Sequence, residues 1–67
     1  MRLQLIINGE KHEIEARTVH DLLKAMNLDK QAVAVEVNRQ VVPKKEHDQT
    51  ELKDGDNIEL VTLVGGG

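Results

Sequence analysis

The residues with the plainest chemical use are the last ones. Val64-Gly65-Gly66-Gly67 ends an apolar run with three glycines. Glycine buries no side chain and keeps the widest backbone freedom. Inside a chain such a tract reads as a linker or a turn. At a free end it is expected to carry an α-carboxylate on a thin, flexible stalk. A carboxyl with a pKa of ~3.5 is an anion at neutral pH and a poor electrophile, so acyl chemistry at Gly67 requires that something activate it. Glycine suits that chemistry. No Cβ obstructs attack on the neighbouring carbonyl, and the backbone can follow whatever path a narrow channel imposes. Ordering Gly65, Gly66 and Gly67 in a channel costs roughly 3–6 kcal/mol, at about 1–2 per residue. The folded body must therefore act as a handle whose contacts offset that cost.

Other side chains offer little competing chemistry. The chain has no cysteine, hence no disulfide, no thiolate zinc site and no side-chain persulfide. His12, His20 and His47 fall on a strand, a helix and a loop without metal-ligand spacing, and they read as surface histidines. Asp54-Gly55-Asp56 lacks the calcium-loop pattern and reads as a turn. Lys44-Lys45 reads as a solvated charge pair. No Ser/His/Asp or Cys/His set is present, so no catalytic residue and no metal ligand is assigned. The chain is expected to be a protein cosubstrate rather than an enzyme.

Composition narrows the class further. Sixty-seven residues make one domain with a thin core, built without any aromatic ring from Leu, Ile, Val, Ala and Met. The net charge is −3 with both signs interspersed. Without a basic stripe or a stacking ring, nucleic-acid binding is not expected. The opening apolar stretch is too short for a signal peptide or a membrane span, so a cytoplasmic protein is expected.

The elements that must carry the tail follow from periodicity. Residues 2–7 alternate as a strand, Asn8-Gly9 is a strong hairpin signal, and the return strand covers 10–16. That turn pairs Leu3 with Ile14 and Arg2 with Glu15. Thr18 is a helix N-cap with Asp21 three residues on as a weak capping box. Val19, Leu22, Leu23 and Met26 then form one apolar helix face. Asn27 suits the left-handed position after the helix, with Leu28 as the apolar contact beyond. Val33, Val35 and Val37 mark a third strand. Arg39-Gln40 is predicted to turn the chain into a short strand at Val41-Val42, which Pro43 ends. Residues 44–49 are expected as a charged connection with room for a helical turn, and 50–52 are brief and extended at most. The last strand covers 57–64, with Ile58 and Leu60 on one face and Val61 and Leu63 on the other. The order predicts an α+β fold, with one helix on one face of the sheet and the first and last strands side by side in its middle.

In this order and spacing the chain resembles the ThiS-type sulfur carriers, ubiquitin-like β-grasp proteins of thiamine biosynthesis. The resemblance rests on the first strand with Asn8-Gly9, Thr18-Val19-His20-Asp21-Leu22-Leu23 at the helix start, and Val35-Glu36-Val37-Asn38 before Val41-Val42-Pro43. It continues through Asp54-Gly55-Asp56, Ile58-Glu59-Leu60-Val61-Thr62 and Gly65-Gly66-Gly67. One departure is the lack of aromatics, which many relatives carry where His47 sits and near Leu63.

The resemblance implies a mixed-sheet β-grasp domain over 1–64 and a flexible glycine tail over 65–67. With no cysteine to hold sulfur, the C-terminus is the remaining place for it. An E1-like adenylating enzyme would use ATP to make an acyl-adenylate at Gly67. A sulfur donor, either a cysteine desulfurase or a persulfide protein, would then leave a thiocarboxylate for a thiazole synthase. Gly65 and Gly66 would thread into partner active sites, and the chain itself would bind no cofactor. Ile6, Val61 and Leu63, on the sheet face away from the helix, are the expected docking face. Two alternatives stand beside this reading: a carrier for molybdopterin or another sulfur metabolite, and a β-grasp interaction module without covalent chemistry.

Overall fold

The computed structural model describes residues 2–63. The expectations for Gly65, Gly66 and Gly67 therefore lie outside the described residues. Five strands form one mixed sheet in the order β2-β1-β5-β3-β4. Helix α1 packs on one face.

Strands β1 (Arg2–Ile7) and β2 (Glu10–Glu15) make the first hairpin. Leu3 lies opposite Ile14 and Arg2 opposite Glu15, in the predicted register. Asn8 and Gly9 take φ of 50° and 85°, the left-handed pair that a tight hairpin turn needs. β2 ends one residue before its predicted limit, and Ala16 is buried in the core.

Helix α1 (Val19–Ala25) starts at Thr18, whose hydroxyl accepts the Asp21 N–H at 3.2 Å. The Asp21 carboxylate in return accepts the N–H groups of Arg17 at 3.1 Å and Thr18 at 3.2 Å. Chiefly through these two backbone donors, the carboxyl is held below its ordinary pKa. At the other end Asn27 adopts φ 62°. Its N–H reaches Lys24 O, and the Leu28 N–H reaches Leu23 O at 2.8 Å. Together these bonds form a Schellman cap, with Leu28 packed against the core as its apolar contact.

β3 (Val33–Val37) and β4 (Gln40–Val42) form a second hairpin. Its turn differs from the expected Arg39-Gln40. Asn38 and Arg39 are the central residues, at φ 52° and 70°, and Gln40 already pairs with Val37. Asn38 drives this choice. Its side-chain carbonyl accepts the Asn57 N–H at 3.0 Å and its amide donates to Asp56 at 3.0 Å, tying the turn to the start of the last strand.

A 3-10 turn at Lys44–Glu46 follows, and it inverts the expectation for His47. His47 is not on the surface: it is 8% exposed, with Nε2 3.1 Å from the Val42 carbonyl oxygen. Its own carbonyl accepts the His20 N–H at 2.9 Å, so the turn is pinned to the first turn of α1. Beyond it Thr18 and Glu51 form an isolated bridge and Leu52 enters the core. Asp54-Gly55-Asp56 is a turn whose carboxylates accept the backbone N–H groups of Gln4 and Lys53.

β5 (Asn57–Thr62) is central. It runs parallel to β1 through Ile6↔Asn57 and Ile7↔Ile58, and antiparallel to β3 from Ile58 to Thr62. Leu3, Leu5, Ile7, Val35, Ile58 and Leu60 of the sheet meet Val19, Leu22 and Leu23 of α1 in one buried core.

Candidate functional site

The candidate site is the end of β5, the last described strand before Gly65-Gly66-Gly67 in the sequence, with the sheet face opposite α1. β5 outlasts its neighbour. Parallel pairing with β1 stops at Ile58, because Asn8 and Gly9 turn β1 away. Asn8 then replaces the missing strand. Its backbone N–H donates to Ile58 O at 2.9 Å. Its side-chain carbonyl accepts the Leu60 N–H at 2.9 Å, and its side-chain amide donates to Leu60 O at 3.1 Å. On the other side β3 continues the ladder through Ala34↔Val61 and Val33↔Thr62, and Leu63 N–H reaches Ala32 O at 2.8 Å. Regular hydrogen bonding therefore follows the chain to Leu63.

Alternation along β5 sorts its side chains. Ile58 and Leu60 are buried against the helix, whereas Val61 is 55% and Leu63 57% exposed. Both stand on the outer face, as expected. Ile6 is on that face too, half-buried, but it is level with Asn57. Val61 lies four residues farther along, about 13 Å at the rise of a strand. The three predicted docking residues therefore do not form one contiguous patch. The apolar surface runs the other way, through Ala34 opposite Val61 to Val41 on β4, which is 71% exposed. Val41 and Ala34 were missed as surface residues. The signal that finds Val41 is its neighbour: Val42 faces the core, so Val41 must face out.

The histidines do not converge. His12 lies 3.7 Å from Glu10 on β2, His20 is exposed on α1, and His47 is buried behind the 3-10 turn.

A family model described as the ThiS family matches residues 5–67, from the first strand through the last glycine. The chain belongs to the ThiS family. A sulfur carrier protein ThiS from Bacillus subtilis is 38% identical over 94% of this chain and 98% of its own length. A thiazole synthase from Paramagnetospirillum magneticum is 42% identical over 97% of this chain, which spans only 20% of that protein. The crystal structure of ThiS from Geobacter metallireducens superposes with a TM-score of 0.78 at 32% identity, each chain covered in full. The match to the ThiS family model covers all five strands, starting within β1, and extends to the glycines beyond the described residues. No helix among the described residues is long and apolar enough to cross a membrane.

Proposed function

We propose that this chain is a sulfur carrier in thiamine biosynthesis, with the carbonyl carbon of Gly67 as the reacting centre. The observation that carries the reading is the reach of the family match: it is continuous from β1 to Gly67, so body and glycine tail belong to one unit. An E1-like adenylating enzyme activates the terminal carboxylate. A carboxylate oxygen attacks the α-phosphorus of ATP, pyrophosphate leaves, and the resulting acyl-adenylate has AMP as its leaving group. The donor, a cysteine desulfurase or a persulfide protein, supplies sulfur as a persulfide that expels AMP. A thiol then opens the resulting acyl disulfide, leaving the thiocarboxylate. A thiazole synthase takes that sulfur, and the carboxylate is regenerated. ATP belongs to the activating enzyme; the carrier holds no cofactor, supplies no catalytic group and works in the cytoplasm.

The body's share of this chemistry is docking and reach. The outer face around Val61 and Leu63 meets the activating enzyme, with Ile6 toward the margin. The hydrogen-bonded end of β5 fixes the chain as far as Leu63, four residues before Gly67. Holding the chain up to Leu63 reduces the ordering cost on binding to the last few residues, at about 1–2 kcal/mol each.

The test is intact-mass spectrometry after incubation with a thiamine-type activating enzyme, ATP and a sulfur donor. The expected product gains the mass difference of one sulfur for one oxygen, located at Gly67 by fragmentation. An unchanged mass with an active thiamine-type pair would remove the thiamine reading, and an unchanged mass with a molybdopterin-type pair as well would favour a non-covalent interaction module. Removal of Gly67 should abolish the gain without altering the fold.

A further inference from the structure

The middle of the outer face carries two like charges in direct opposition. Glu36 on β3 and Glu59 on β5 are register partners. Their sequence neighbours Val35, Ile58 and Leu60 are buried, so both carboxylates stand on the face away from α1. Like charges opposed across an antiparallel pair destabilise it. Neither carboxylate makes a side-chain hydrogen bond or ion pair with another described residue; the Arg2–Glu13 and Arg17–Glu51 pairs lie elsewhere. Glu36 also has Val41 as its register partner on β4, and the next pair along the ladder is Ala34 with Val61. An acidic pair thus sits inside the exposed apolar patch. Neither feature helps the isolated domain. The patch exposes apolar surface, and the pair adds repulsion to the central ladder.

We infer that this face receives a basic side chain of the activating enzyme, best an arginine, set in an apolar surface. The inference rests on the docking role assigned above and adds its chemistry. Opposed Cβ atoms in such a pair lie about 4.5–5.5 Å apart, close enough for one planar guanidinium to donate to both carboxylates. Burial under the surrounding apolar contacts would strengthen that bond by removing water. A second copy of this chain is the wrong occupant, because stacking the two faces would bring four carboxylates together. The pair therefore selects a basic partner and rejects self-association through the same charges.

The experiment compares wild type, the double variant Glu36→Gln/Glu59→Gln, and Val61→Asp in ATP–pyrophosphate exchange by the activating enzyme, at low and high salt. The double variant keeps size and polarity and removes only charge. Its KM for the carrier should rise about tenfold with kcat nearly unchanged, and the dependence of KM on salt should flatten. Its melting temperature should rise, because the repulsion is gone. A double variant with wild-type KM and salt dependence overturns the inference. So does a raised KM with an unaltered salt dependence, or a variant that only gains self-association. Should Val61→Asp block exchange while the double variant behaves as wild type, docking on this face stands and the basic partner group falls. Should both behave as wild type, the docking face itself falls.

Discussion

Asn8 closes the backbone hydrogen bonds of Leu60 with its own side chain, accepting from its N–H at 2.9 Å and donating to its carbonyl at 3.1 Å. A turn residue thereby acts as one more residue of β1. Asn8→Gly tests this cleanly, because glycine keeps the left-handed backbone and removes only the amide. It should lower stability by about 1–3 kcal/mol in urea unfolding, since both Leu60 groups lose their partners. The Leu60 amide should also exchange hydrogen faster than its neighbours on β3.

Asp21 gives the fold a defined acid response. Its folded pKa is lowered by the Arg17 and Thr18 N–H groups. A depressed carboxyl contributes stability that is present above its unfolded value of ~3.9 and is lost as pH falls through the folded value. Asp21→Asn removes that contribution at neutral pH. The stability gap between wild type and variant should therefore narrow as pH is lowered from about 5 toward 2, followed by thermal unfolding. A gap independent of pH would refute this account.

Thr18→Ala should cost about 1 kcal/mol, the usual loss for an N-cap hydroxyl. The loss should appear in the unfolding free energy without a change in the slope against denaturant.

Arg39 is an arginine in left-handed backbone, at φ 70°. The left-handed region costs a side-chain-bearing residue roughly 1–2 kcal/mol, and the extra unfolded-state freedom of glycine returns about 0.4–1. Arg39→Gly should thus raise stability by up to about 1 kcal/mol, measured by urea unfolding, with β3–β4 pairing intact.

His47→Ala should be costly for a residue in a charged connection. It leaves a cavity and frees the ring's hydrogen-bonding partner at Val42 O, for a loss of about 1–3 kcal/mol. Lys45→Ala, two residues away and exposed, should change stability by no more than about 0.5 kcal/mol.

These residues also mark what the sequence reveals. The register of the first hairpin was legible to the residue, because Asn8-Gly9 admits few turn geometries and apolar alternation pins the pairing. The helix and both its caps were legible for the same local reasons. The second turn was not. Asn38 takes the left-handed position through bonds to Asp56 and Asn57, nineteen residues away in the case of Asn57, and no local signal reports those. His47 was misread because composition marks residues 44–49 as solvent-facing, whereas a 3-10 turn rotates one ring inward. At the candidate site, the two faces of β5 were readable from alternation. The separation of Ile6 from Val61, and the Glu36–Glu59 opposition, depend on strand register between segments far apart in the chain.

The parallel pairing of β1 with β5 has a practical consequence. Ile6 is level with Asn57, so Arg2 lies below that level and Thr62 above it, roughly 30 Å apart along the sheet. An affinity tag or fluorescent partner joined ahead of Arg2 would emerge at the pole of the sheet opposite Thr62 and Leu63.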